Sequence, residues 1–411
     1  MNSPIFPFPE TYWYQSKKEI IRLEHDIAVD LVIVGGGMAG LSAAQAAVKK
    51  GLNVALIEKT FCGAGASGKS SGFITPDAEF SFSDLVAMHG PEQALKLWSF
   101  ICSGVENIRS TIKTHALDCQ YYEQDTLVLA TSQRAFNKRI THEHETRLKY
   151  GLESNLHSQQ AIQTIIQSNG YHGGVSYGKT FSIKTFDYCQ GLKKILQSQG
   201  VKIFEETAAE KIVLTGIKTK NGIIEAQKII IATDHFLPEL APFEYDLYHV
   251  QTFLMASAPL NAEKAKKLFP SGPMMAWDTD LIYHYFRLTK DNRLLLGGAD
   301  LFSTYSKNAN HHNSRVFKNL TWYAKNYFPE LSLEWEYIWP GLIGITKDIF
   351  PFAGKDKNNK NLFYIAGAAG LPWAAALGLY AVDSLYDKPE ELDIFFNPYR
   401  RYLVPHSIQA I

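Results

Sequence analysis

The chain has 411 residues, of which 46% are hydrophobic and 20% charged, enough to bury a sizeable core and to form about two domains. Its 41 Lys and Arg residues balance 41 Asp and Glu residues, which excludes a basic field for nucleic acid and an acidic solvating tail and leaves a small-molecule partner as the expectation. The four cysteines, Cys62, Cys102, Cys119 and Cys189, have no CxxC spacing and are too sparse for a disulfide framework, so they are expected as free thiols in a reducing cytoplasm.

In chain order, residues 1–24 read as an N-terminal extension. Its first 19 residues carry three prolines and several aromatics and lack the basic start and apolar run of a secretory signal, so export is not expected. Residues 30–34 form an apolar strand, residues 38–50 an alanine-rich helix and residues 53–58 a second strand, together a βαβ unit. Helical spacing returns over 91–114, alternation over 119–130 suggests paired strands, and another helix is expected over 134–150. A helix over 186–199 and strands over 201–204 and 228–232 restore an α/β rhythm. Residues 248–258, 281–287 and 293–298 read as long strands of a half-exposed antiparallel sheet, and residues 339–386 return to strand and helix. No repeat or low-complexity linker separates these parts, so a second domain must be woven into the first.

Residues 362–382 contain no charge and approach the length of a membrane span. Gly367, Gly370, Pro372 and Gly378 cut the run, and the expectation is a short strand, a turn and a helix. No metal site is visible in the pattern of His, Cys, Asp and Glu.

The first chemical signal is Gly35, Gly37 and Gly40, a GxGxxG between a strand and a helix. Gly35 permits the tight turn, Gly37 lets backbone approach a diphosphate, and Gly40 lets helix and strand pack closely. The first-turn amides of that helix, at Met38 and Ala39, then face the phosphates. Glu58 ends the second strand, where a carboxylate can bond a ribose hydroxyl, with Lys59 beside it. This motif does not separate FAD from NAD. Shortly after it, Cys62 to Gly72 reads CGAGASGKSSG, a small-residue loop able to lay backbone amides against a flat ring system; the same composition also suits a flexible linker.

With that loop the chain resembles the glycine/D-amino-acid oxidase superfamily of FAD-dependent oxidoreductases. Further similar segments follow in the family's order: 201–207 with Ala209, like its adenine-contacting turn; 222–234, ending at Ala232, Thr233 and Asp234, like its strand near the cofactor; Gly344, Thr346, Asp348 and Pro351, like its GxTxDxxP segment; and 363–370, like its last strand and glycine turn. The resemblance covers almost the whole chain, and an early Tyr12-Trp13 is similar to the gamma-glutamylputrescine oxidase-like members.

The resemblance implies an α/β fold: a Rossmann-type FAD-binding domain over 25–90, 185–247 and 336–411, interleaved with an α+β substrate domain over 91–184 and 248–335 built on an antiparallel sheet. It implies FAD, held by Gly35, Gly37, Met38, Ala39, Gly40, Glu58, Lys59, Ala66, Ser67, Lys69, Ser70, Ser71, Gly72, Ala209, Ala232, Thr233, Gly344, Gly367, Gly370, Leu371 and Pro372. Gly370 as N-cap with Pro372 in the first turn is independently a good helix start, whose positive end can stabilise charge on reduced flavin. The implied reaction is hydride transfer from the carbon bearing nitrogen of an amine or amino acid to flavin N5, followed by imine hydrolysis, with oxygen as the acceptor. Lys69, Tyr285, Arg287 and Trp373 are the expected catalytic residues. Tyr283 is expected near the substrate, Arg287 is a candidate for a substrate carboxylate, and Trp277, Trp339 and Trp373 are candidate pocket walls that could equally be core.

The chain also departs from the family. It has Gly367, Ala368, Ala369, Gly370, Leu371, Pro372 and Trp373 where many relatives carry a histidine before the last helix, and Ala374 where sarcosine-oxidase-like members place a lysine. Leu294 to Leu296 occupy the strand on which those members carry a lysine that favours oxygen reduction, so a dehydrogenase stays open. No cysteine follows Cys189, so covalent flavin attachment through a late cysteine is excluded and the FAD is expected to be non-covalent. A 2-hydroxy-acid dehydrogenase, a flavin-dependent modifying enzyme and a non-enzymatic binding protein on the same fold are the alternatives. Substrate identity and oligomeric state are not legible.

Overall fold

The computed structural model describes residues 11–14, 19–77, 79–234, 239–243, 246–301, 314–368, 370–387 and 392–401. Residues 1–10 and 15–18 of the expected N-terminal extension lie outside them.

Strand Ile27–Val34 buries Leu31, Val32, Ile33 and Val34, side chains that point alternately to both faces, because it lies in the middle of a covered sheet. It runs parallel to Val54–Ile57 on one side and to Gly222–Asp234 on the other. Lys202–Phe204 extends the sheet beyond Val54–Ile57, and Leu362–Ala366 extends it beyond Gly222–Asp234, both in parallel. Phe352–Lys355 closes that edge antiparallel. Strands Ala209–Val213 and Gly216–Thr219 form a hairpin on the first part of Gly222–Asp234.

Helix Met38–Lys49 makes the first crossover and packs against helix Leu371–Tyr386. A Cβ at Gly378 would stand 2.2 Å from the Ala39 carbonyl oxygen, so the close crossing of these helices requires glycine there. The uncharged run 362–382 resolves into strand Leu362–Ala366, a turn and the buried helix. Its lack of charge reflects burial in the first core, and no helix among the described residues is long and apolar enough to cross a membrane.

The second sheet has eight strands, in the order Trp335–Thr346, Leu247–Ser257, Leu294–Leu301, Tyr285–Leu288, Met275–Asp278, Thr126–Leu129, Gly173–Tyr177 and Asn155–Ser158. Three expectations change here. The sheet is mixed rather than antiparallel, because Met275–Asp278 and Thr126–Leu129 pair in parallel. It is also covered on both faces: helix Ser314–Tyr327 lies over Phe253, Met255 and Phe286, while Tyr12, Trp13 and Phe186 lie over Leu254, Ala256 and Leu295. The strand expected over 281–287 spans only Tyr285–Leu288, since residues 281–284 form the connection from Met275–Asp278.

The alternation over 119–130 likewise does not mark a hairpin. Tyr122–Glu123 pairs with Phe181–Ser182 in a three-stranded sheet completed by Phe73–Ile74, whereas Thr126–Leu129 joins the second sheet. Alternation reports that one face is buried, not which strand lies alongside. The helix expected over 134–150 is continuous but contains a π-helical segment, Phe136–Ile140. Trp335–Thr346 belongs to the second sheet, so the chain re-enters the first sheet only at Phe352–Lys355, later than the boundary expected near residue 336.

Candidate cofactor and substrate site

The turn after Ile27–Val34 is built for close approach. Gly35 has φ +114° and a Cβ there would lie 2.3 Å from the Ala232 carbonyl oxygen, so both conformation and space demand glycine. A Cβ at Gly40 would meet the Gly35 carbonyl oxygen at 1.9 Å. Gly37 caps helix Met38–Lys49 with no side-chain hydrogen bond. Among the described residues the amides of Gly37, Ala39 and Gly40 have no protein acceptor, while the Met38 amide donates to Ser67 Oγ at 2.9 Å. Unpaired first-turn amides beside glycine backbone form a cradle that fits a diphosphate.

Glu58 follows Val54–Ile57 directly. One carboxylate oxygen accepts from the Gly36 amide at 2.9 Å, and the other accepts from the amide and hydroxyl of Thr60 at 3.0 and 3.1 Å. These bonds hold the carboxylate beside the glycine turn. Lys59 is exposed. The Thr207 amide bonds the Glu58 carbonyl, and Ala209 begins the outer hairpin two residues later, which brings 201–209 against the Glu58 end of the cradle.

Ala66, Ser67, Lys69, Ser70, Ser71 and Gly72 continue from this turn. The short helix Ala66–Lys69 is followed by extended backbone at Ser70. Gly72 has φ +79°, and a Cβ there would meet the Ile183 carbonyl oxygen at 2.0 Å. Burial lowers the Lys69 pKa. The segment is tethered both at Lys69, whose carbonyl accepts from the Trp339 indole, and at Gly72, whose carbonyl accepts from the Ile183 amide, contacts that a flexible linker would not need.

Asp234 joins the two sheets. Its carboxylate accepts from the Gly344 amide at 2.8 Å, its carbonyl accepts from the Gly367 amide at 3.3 Å, and burial pushes its pKa up to about 6. Ala232, Thr233, Gly344 and Gly367 thus converge at one seam. Thr346 and Asp348 of the GxTxDxxP segment build a turn: the Thr346 hydroxyl donates to Asp348, and Arg400 grips both Asp348 oxygens at 2.7 and 2.9 Å. At the start of Leu371–Tyr386, Gly370 has φ +108° and Pro372 stands in the first turn, as the sequence predicts.

The expected catalytic side chains separate into two groups. Tyr285 pairs across strands with Trp277, and Phe73, directly after Gly72, lies 6.0 and 6.2 Å from the Tyr285 and Trp277 ring centres. Tyr283 lies 5.9 Å from Tyr285. All four rings are only partly buried, and Phe73 ties the group to the 66–72 loop. The Tyr285 and Thr252 hydroxyls lie 3.2 Å apart, and the Tyr283 hydroxyl donates to Glu79 at 3.3 Å. Phe73, Thr252 and Glu79 were not expected here. Sequence spacing carries no signal for them, although Phe73 adjoins the small-residue loop.

Arg287, by contrast, is not placed to bind a substrate carboxylate. It is 3% exposed, and each nitrogen donates to protein: Nε to the Ser71 carbonyl at 2.7 Å, Nη2 to the Ile183 carbonyl at 3.0 Å, and Nη1 to the Leu288 carbonyl and Ser182 Oγ at 3.2 and 3.3 Å. Burial pushes its pKa down to about 9. Trp373 is also corrected, because Phe100, Phe350 and Phe396 enclose its ring in the first core. Trp339 is buried as well, and its indole N–H donates to the Lys69 carbonyl at 2.9 Å.

Asp278, Asp280 and His284 bring metal-ligand atoms within 4.8 Å of one another, a grouping that sequence spacing does not reveal. Asp278 accepts from Tyr323 under helix Ser314–Tyr327, on the face of the sheet opposite Trp277 and Tyr285, so the cluster lies apart from the aromatic wall.

Comparison with known proteins agrees with this architecture. The FAD dependent oxidoreductase family, DAO, matches residues 30–384. A probable oxidoreductase OrdL of Haemophilus influenzae is 25% identical over 402 residues, covering 94% of this chain and 90% of the relative. The gamma-glutamylputrescine oxidoreductase of Escherichia coli is 25% identical over 387 residues, covering 91% and 88%. The crystal structure of glycine oxidase from Geobacillus kaustophilus superposes with a TM-score of 0.78 at 20% identity, covering 92% of this chain and all of that one. The glycine cradle, the ordered loop and the match over 30–384 lead to one conclusion: the chain belongs to the DAO family of FAD-dependent oxidoreductases.

Proposed function

We propose that the protein oxidises the C–N bond of an amine or amino acid, with the substrate bound against Phe73, Trp277, Tyr283 and Tyr285. The observation that carries this reading is the partly exposed aromatic wall next to the 66–72 loop. Aromatic faces attract ammonium groups and accept an apolar amine. Glu79, hydrogen-bonded to Tyr283, adds negative charge at this wall. Arg287, the cation expected to hold a carboxylate, is spent on main-chain carbonyls, which favours an amine without a carboxylate over an amino acid or a 2-hydroxy acid. Two relatives, named as a gamma-glutamylputrescine oxidoreductase and a glycine oxidase, support the same class.

FAD, when bound, would supply a two-electron acceptor for the oxidation. In this reading the amides of Gly37, Met38, Ala39 and Gly40 hold the diphosphate, Met38 exchanging its Ser67 contact, and Glu58 holds the ribose with Lys59 at the rim. Ala209 borders the adenine. Ala232, Thr233, Gly344, Gly367, Gly370, Leu371 and Pro372 would line the ring system together with 66–72. The amides at the start of Leu371–Tyr386, which have no acceptor among the described residues, and the Lys69 ammonium would favour negative charge on the reduced cofactor. Tyr285 and Thr252 orient the substrate through their hydroxyls. Oxygen is the proposed final acceptor.

The test is the visible spectrum of the holoprotein, followed without air while primary amines, N-alkyl amino acids, D-amino acids and 2-hydroxy acids are added in turn. Bleaching by one class of amine, then recovery in air, is expected. Bleaching by a hydroxy acid alone would overturn the substrate class, and recovery only with an artificial acceptor would make the protein a dehydrogenase.

A further inference from the structure

Four consecutive carbonyls, beginning at the last residue of helix Ala66–Lys69, are each held from a different part of the chain. The Lys69 carbonyl accepts from the Trp339 indole at 2.9 Å, and the Ser70 carbonyl accepts from the Trp13 indole at 2.9 Å. The Ser71 carbonyl accepts from Arg287 Nε at 2.7 Å, and the Gly72 carbonyl from the Ile183 amide at 3.0 Å. Among the described residues the amides of Ser70 and Ser71 donate to no protein acceptor. Trp13 is fully buried, its ring lies 6.1 Å from Trp339, and the Arg287 guanidinium stands 5.9 Å from it.

A buried indole needs some acceptor, and any nearby carbonyl would serve. That requirement does not explain why the N-terminal segment, Tyr285–Leu288 and Trp335–Thr346 all deliver their donors to successive residues of one loop. Nor does it explain why all four carbonyls are filled while, among the described residues, the amides of Ser70 and Ser71 are left open and that of Gly72 turns back to Ser70 Oγ at 3.3 Å.

We propose that Trp13, Trp339 and Arg287 are positioning residues that clamp the flavin loop by its carbonyls, keeping the amides of Ser70 and Ser71 available to the FAD. The segment around Trp13 is then part of the cofactor site although it lies far from it in sequence. This rests on the assignment of residues 66–72 to the cofactor and is independent of which substrate is oxidised. A carbonyl turned toward the flavin opposes the negative charge of reduction, whereas a fixed amide stabilises it, so the clamp should favour the reduced form most.

The experiment compares wild type with Trp13→Phe, Trp339→Phe and the double variant, which keep aromatic bulk and lose the donors. Tyr12→Phe is the control, since it loses the bond to Asp291 from the same segment but touches no loop carbonyl. FAD affinity is measured by titrating apoprotein, the flavin midpoint potential by dye equilibration, and apoprotein stability by thermal melting. No amine is used, so a wrong substrate class leaves the result intact. Each single variant is expected to bind oxidised FAD about threefold more weakly and the double about tenfold. Reduced FAD should lose about tenfold more again in the double, lowering the two-electron potential by about 30 mV. Tyr12→Phe should stay within about twofold of wild type, less than the loss of one net hydrogen bond. Unchanged affinity and potential in the Trp variants, whatever their melting temperature, would overturn the clamp, as would a Tyr12→Phe effect equal to that of Trp13→Phe. If the double variant does not fold, the two single variants decide by the same criteria.

Discussion

The glycine cradle and the aromatic wall lie in one protein but are assembled in opposite ways. Gly35, Gly37, Gly40 and Glu58 come from a single βαβ unit, and their contribution is made mostly by backbone: a left-handed turn, open amides and one carboxylate at a strand end. Phe73, Thr252, Trp277, Tyr283 and Tyr285 come from three distant stretches, and they matter only through side chains that meet at one face of the second sheet, Thr252, Trp277 and Tyr285 from its strands and Phe73 and Tyr283 from beside it. A phosphate binds backbone, which only glycine leaves bare enough, so that site writes itself into the sequence. A substrate binds side chains whose types are equally at home in a core.

The comparison can be strained hardest at Gly35. Gly35→Ala should cost about 3 kcal/mol or more, because the left-handed φ and the collision with the Ala232 carbonyl both act. Urea unfolding and flavin content measure it, and a variant with native stability and full FAD would show that the cradle is not conformationally exacting.

The seam between the sheets gives a pH-dependent test. Asp234 is pushed up to about 6 by burial, against about 3.9 in an unfolded chain. The folded protein holds this proton more tightly. The stability it contributes is thus present below about pH 4 and lost as pH rises through about 6. Asp234→Asn keeps an acceptor for the Gly344 amide and suits the φ of +65° at this position. It should raise stability at pH 7 by on the order of 3 kcal/mol and flatten the fall between pH 4 and 6. A series of unfolding curves across pH checks this, and a variant weaker than wild type at pH 7 would mean that the ionised carboxylate is required at the seam.

The smallest effect belongs to the wall itself. Tyr285→Phe keeps the ring and removes the hydroxyl beside Thr252. A KM three- to tenfold higher with kcat within about twofold is expected from one neutral hydrogen bond. Steady-state kinetics on the substrate found by the spectral test would show it. A drop in kcat alone would place Tyr285 in the chemistry instead of in binding.

The sequence by itself determined the first βαβ unit, its glycine turn, the division of 362–382 into strand, turn and helix, and the FAD family. Each depends on local backbone rules that glycine, proline and apolar periodicity express directly. Only the tertiary structure decided what the second sheet does. Period-two alternation says that a strand has two faces, but the packing of Ser314–Tyr327 on one face and of the N-terminal aromatics on the other decides that both are covered. Tyr285 and Arg287 share a face two residues apart, yet Arg287 falls beneath the 66–72 loop, where three carbonyls and a hydroxyl claim its guanidinium. Trp13, Trp339 and Trp373 are the same residue type with different surroundings: two meet loop carbonyls and the third meets three phenylalanines. A side chain's partners are set by what the folded chain brings to it, and sequence spacing carries no record of contacts made across hundreds of residues.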